Sequence, residues 1–129
     1  MTYDEAINKI RYKEYDGDME IDELTDVVTE GMREKFRAGE ELSSSEIIIL
    51  LDWEIFPYKW GNIIEVLRHG YVIREYIFEI EENEHYMLEL AHHDEYGVDD
   101  YVMPQVPMRC YFKKVTVEKW VCDEEEGKI

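Results

Sequence analysis

The spacing of apolar residues changes at Gly70: before it they recur every three or four positions, and after it every second position. Thr2-Tyr3-Asp4-Glu5 has the form of a capping box and predicts a short helix carrying Ala6, Ile7 and Ile10, ending near residues 15–17. Ile21, Leu24, Val28, Met32 and Phe36 then mark one face of a longer helix. Asp18 or Asp22 is its expected cap, Arg33, Lys35 and Arg37 suit the negative end of its dipole, and Gly39 suits the residue after its end. Ser43-Ser44-Ser45-Glu46 opens a third helix through the IIILL run, with Leu42 as a hydrophobic staple and Pro57 beyond its end. A fourth short helix is expected over residues 60–68.

Beyond Gly70, Arg74, Tyr76, Phe78 and Ile80 alternate with Ile73, Glu75, Ile77, Glu79 and Glu81. The polar turn Glu82-Asn83-Glu84 leads into residues 85–91, where Tyr86, Leu88 and Leu90 share a side, so a hairpin is predicted. An acidic loop follows from about residue 92 to Pro107, with Gly97 and Pro104 opposing regular structure. Residues 108–122 read as a last strand antiparallel to the hairpin, with Cys110 and Cys122 toward its two ends. Extended chain would separate those cysteines by roughly 40 Å, beyond disulfide reach. With no repeat or linker, the expectation is one α+β domain over residues 1–122, N-terminal helices packed on a C-terminal antiparallel sheet of about three strands, and an acidic tail at 123–129.

Composition supports a folded chain, since 45% of the 129 residues are hydrophobic and 13% aromatic. The formal charge of −18 changes the functional picture. It disfavours direct contact with nucleic acid or an anionic membrane and favours a basic protein surface or a cation. Halophilic adaptation is a further source of acidity. The longest aliphatic run is far too short to span a bilayer and no signal-like segment opens the sequence, so a cytoplasmic protein with reduced thiols is expected.

The motifs for chemistry fail individually. Asp16, Asp18, Glu20 and Asp22 resemble the start of an EF-hand loop, but Ile21 holds the glycine position and Val27 the final glutamate position. His85, His92, His93, Asp94 and Glu95 lack a metal-ligand spacing, because adjacent strand histidines point to opposite sides. The Ser43–Ser45 triplet reads as a cap, neither cysteine has an activating neighbourhood, and no phosphate-cradling loop is present. No enzyme activity, cofactor or metal is therefore expected. Lys113 and Lys114 beside Tyr111 and Phe112 resemble a single-strand-binding strand, yet neutralising hairpin glutamates across the sheet is the simpler role for them and for Lys119.

What remains is the negative surface. Between Arg74 and Arg109 the chain has no lysine or arginine and ten carboxylates. Glu79, Glu81, Glu82, Glu84, Glu89, Asp94, Glu95, Asp99 and Asp100 are the candidate partner-binding residues, with Glu75 on the same hairpin side and Tyr86, Tyr96, Tyr101 and Met103 as apolar anchors. An ordered row of carboxylates can stand in for phosphates in a cleft lined with Lys and Arg. In size, acidity and lack of catalytic motif the chain is similar to small phage and mobile-element inhibitors, among them anti-CRISPR and anti-restriction proteins that imitate DNA. That resemblance implies a non-enzymatic inhibitor in the host cytoplasm whose partner is a basic nucleic-acid-binding protein, such as a CRISPR effector or restriction nuclease. The competing reading is an interaction module with an apolar aromatic surface around Trp53, Phe56, Tyr58 and Trp60.

Overall fold

The computed structural model describes residues 1–122, so the acidic tail at 123–129 lies outside the described residues. Three helices come first: α1 (Tyr3–Arg11), α2 (Gly17–Ala38) and α3 (Ser44–Asp52). Both expected capping boxes form, Thr2 with Glu5 and Ser43 with Glu46. Gly39 ends α2 at φ 68°, in the left-handed region where a glycine costs least. The start of α2 differs from expectation: Asp16 occupies the cap position without a side-chain bond, and its N–H instead donates to Glu20 at 3.1 Å.

Five antiparallel strands follow: β1 (Tyr58–Val66), β2 (Tyr71–Glu81), β3 (Glu84–His93), β4 (Gly97–Val98) and β5 (Met108–Cys110). The class is α+β as expected, but the sheet has more strands than the about three predicted. Residues 60–68 are the clearest correction. They form most of β1, paired through Lys59 with Ile77 and Trp60 with Tyr76, rather than a helix. Two register shifts, between Trp60 and Ile63 and between Ile63 and Glu65, interrupt its alternation. Those bulges leave Trp60, Ile63 and Ile64 at three-and-four spacing, which imitates a helix in the sequence. A tight turn returns the chain, with His69 and Gly70 both at positive φ.

The final strand is also shorter than expected, because its partner ends. Met108 faces Met87 and Cys110 faces His85, one residue from the start of β3 at Glu84. Residues 111–122 have no ladder to continue and form no regular element, so Cys122 does not sit at a strand end.

One core cluster unites Leu24, Val28, Met32 and Phe36 of α2 with Tyr76, Phe78, Ile80, Tyr86, Leu88 and Leu90 of the hairpin. The opposite side of the hairpin carries Ile73, Glu75, Ile77, Glu79, Met87 and Glu89, mostly half-buried. Tyr3 lies on Gly31, where an added Cβ would fall 2.1 Å from the ring. An alanine normally stabilises a helix interior relative to glycine by about 1 kcal/mol. Here Gly31→Ala is expected to destabilise by about 1–3 kcal/mol through overpacking. A chemical-denaturation midpoint at or above that of the parent would contradict the contact.

Glu46 ties this corner together. Its buried carboxylate accepts from Lys35 Nζ at 2.8 and 2.9 Å, from the Tyr3 hydroxyl and from the Ser43 N–H at 3.0 Å. Burial pushes the Glu46 carboxyl up, but the bonds from Lys35, Tyr3 and Ser43 outweigh it and hold the group below its ordinary value. Burial and then Glu46 itself push the Tyr3 hydroxyl up, keeping it a donor. A depressed carboxylate pKa gives stability that is fully present above the unfolded value, about 4.3 for Glu, and lost as pH falls through the folded value. Glu46→Gln should therefore be less stable than the parent at neutral pH, with the gap narrowing in acid. Denaturant titrations at neutral and acid pH check this, and a pH-independent gap would contradict it.

Candidate functional site

The hairpin turn and the acidic loop sit at opposite ends of β3, about 30 Å apart for nine extended steps. The nine candidate carboxylates therefore do not form one patch. At the turn, Arg33 Nε lies 3.2 Å from Glu81, and Arg37 contacts Glu84 at 2.8 Å. Hydrogen bonds from Arg37 hold the Glu84 carboxyl below its ordinary range. The expected neutralisation thus comes from α2: among the described ion pairs, Lys113, Lys114 and Lys119 contact no glutamate. Only Glu82 at the turn points to solvent without such a partner among the described residues.

On the sheet, Glu79 lies 3.1 Å from His85, and Glu75 accepts the Asn62 N–H at 2.7 Å. Glu75 and Glu89 face each other directly across β2 and β3. That pairing of like charges costs stability unless another group compensates, which the Asn62 bond does for Glu75. At the far end, Asp94, Glu95 and Asp100 are exposed, while Asp99 accepts the Tyr101 N–H at 2.9 Å. Asp94 also lies 3.4 Å from His92 Nε2. His92 is buried against Trp60, and its Nδ1 shares a 2.5 Å hydrogen bond with the Tyr76 hydroxyl. Among the described residues, no three His, Cys, Asp or Glu side chains converge as metal ligands. Burial pushes the Cys110 thiol up, which opposes use as a nucleophile.

A second acidic array lies on α2. Asp18, Asp22, Asp26, Glu30 and Glu34 recur every fourth residue and are all exposed. Positions four apart on a helix lie about 6 Å apart along its axis, and such a row crosses the surface at about 26° to it. Glu20 and Glu23 add to it, so residues 17–30 hold six carboxylates and no lysine or arginine. Counted around the whole helix that is one carboxylate per about 3.5 Å of axis, while the exposed row itself carries one per about 6 Å, wider than the about 3.4 Å of rise per charge along one DNA strand. Lys9 engages Glu20 at 3.1 Å, and Arg33 engages Glu30, which leaves Asp18, Asp22, Glu23, Asp26 and Glu34 without an ion-pair partner among the described residues. The row is legible in the sequence as a four-residue repeat of acids, alongside the apolar spacing of the same segment that marks its core side.

The aromatic alternative is only partly accessible. Phe56 is buried beside Phe36, and Trp53 is half-buried against Tyr15. Exposed apolar surface instead follows β1 through Tyr58, Trp60, Ile63, Ile64 and Val66. No protein-family model, curated protein or solved structure matches the chain.

Proposed function

We propose that this protein is a non-enzymatic acidic inhibitor that occupies the DNA site of a basic nucleic-acid-binding protein, in the manner of anti-CRISPR and anti-restriction DNA mimics. The supporting observation is the exposed carboxylate row of α2, five acids at four-residue spacing on one ordered helix. Like charges four apart each cost an isolated helix about 0.2–0.5 kcal/mol. The helix carries that cost because Leu24, Val28, Met32 and Phe36 anchor its other side in the core. Packing of the helices against the sheet gives the row a rigid backing, so a partner need not order it on binding.

In this reading Asp18, Asp22, Glu23, Asp26 and Glu34 form the main contact. Glu82, Glu89, Asp94, Glu95 and Asp100 supply long-range attraction, while Glu79, Glu81, Glu84 and Asp99 are largely occupied by internal partners. Binding should fall with salt, since charge complementarity acts chiefly through steering and screened ion pairs. Capture of basic DNA-binding proteins on the immobilised chain, followed by elution with duplex DNA, tests it. Retention that ignores both DNA and salt would favour the apolar edge of β1 instead.

A further inference from the structure

Among the described residues, one segment has strand chemistry and no strand to pair with. In residues 111–122, Tyr111, Lys113, Val115, Val117, Lys119 and Val121 alternate with Phe112, Lys114, Thr116, Glu118 and Trp120. Aromatic and β-branched residues dominate it, as in strands that pair. Yet Phe112, Val117 and Trp120 are 93%, 74% and 101% exposed.

A complementary edge lies close by. β1 is the outermost strand of the sheet, and among the described residues nothing pairs with its outer side. Its bulges bend it, but they leave Trp60, Ile63, Ile64 and Val66 exposed along a nine-residue edge. An uncovered apolar edge of this length is a template for a further strand. The segment begins beside it, with Lys59 Nζ of β1 5.9 Å from the centre of the Phe112 ring.

Charge identifies the occupant. Residues 111–122 contain three lysines and one glutamate, a net +2, whereas residues 1–110 hold ten Lys and Arg against 27 Asp and Glu, a net −17. The basic segment therefore fits the acidic body of another copy, and β1 itself, with one lysine and one glutamate, does not repel it. We propose that residues 113–121 of one copy add as an outer strand to β1 of a second copy, and reciprocally, forming a two-fold dimer by strand exchange. Trp120 buries about 150–250 Å² when covered, and the exposed parts of Trp60, Ile63, Ile64 and Val66 add to it in each of the two contacts, toward the about 1,200 Å² at which stable interfaces begin. This surface is separate from the carboxylate row of α2, so the dimer stands or falls independently of the inhibitor reading.

Sedimentation of the full chain over a concentration series tests the proposal, combined with amide exchange of Tyr58–Val66 at each concentration. A reversible dimer is expected, with protection of β1 amides rising as dimer forms. Thr116→Pro and Val117→Pro remove N–H groups that face opposite edges of any strand, so one of them must break the ladder. That variant should weaken dimerisation at least about tenfold while leaving thermal unfolding of the monomer unchanged. A chain that stays monomeric, β1 protection independent of concentration, or a dimer whose affinity neither proline alters would each overturn the exchange.

Discussion

Replacing Asp22, Glu23, Asp26 and Glu34 by their amides should abolish measurable binding to a basic DNA-binding partner while leaving the protein folded. The size follows from the surface described. Each exposed carboxylate meeting a cation contributes up to about 1 kcal/mol, so four amount to roughly a thousandfold in affinity. Folding should move the other way, because the substitutions relieve repulsion between neighbours four apart on α2. Titration calorimetry against a captured partner, with thermal unfolding of the same variant, separates the two effects. Unchanged affinity in a folded variant would remove α2 from the interface. The equivalent change at Glu81 and Glu84 should weaken binding much less, because Arg33 and Arg37 already occupy those groups.

Phe36→Ala should be the most damaging single change to the fold. The ring is 1% exposed and lies 5.6 Å from Phe56, 5.6 Å from Tyr86 and 6.5 Å from Phe78, centre to centre. It joins α2 to both strands of the hairpin and to the segment before β1. Loss of such a ring costs about 3–5 kcal/mol, a large part of the about 5–15 kcal/mol that holds a domain folded. A fall in melting temperature of roughly 10–20 °C is expected at this chain length. A shift of only a few degrees would mean that the junction repacks and that α2 is less firmly backed than its contacts imply.

How far the sequence disclosed this molecule depended on whether one element satisfied itself locally. Thr2, Ser43 and Gly39 mark helix ends by bonds made within a few residues, and each stands where its chemistry placed it. The β2–β3 hairpin was equally plain, because Tyr76, Phe78, Tyr86 and Leu88 keep strict alternation. β1 was hidden because its bulges turn a period of two into a spacing of three and four. The end of β5 was hidden for another reason: it is set by where β3 starts, a fact about the partner strand. For the candidate site, the sequence disclosed net charge but not which charges are free. Arg33 and Arg37 are 47 residues from the hairpin carboxyl and carbonyl groups they meet at Glu84 and Ile80, so nothing local announced that the turn is neutralised. The α2 row, by contrast, was local and legible as a repeat of acids.

Competition between this protein and duplex DNA for one captured partner separates occupation of the DNA site from binding elsewhere. DNA is expected to displace the protein in proportion to its occupancy of the partner, added salt to weaken both complexes, and the α2 amide variant not to compete. Simultaneous binding of DNA and protein to the same partner molecule, at low salt and saturation, would contradict it.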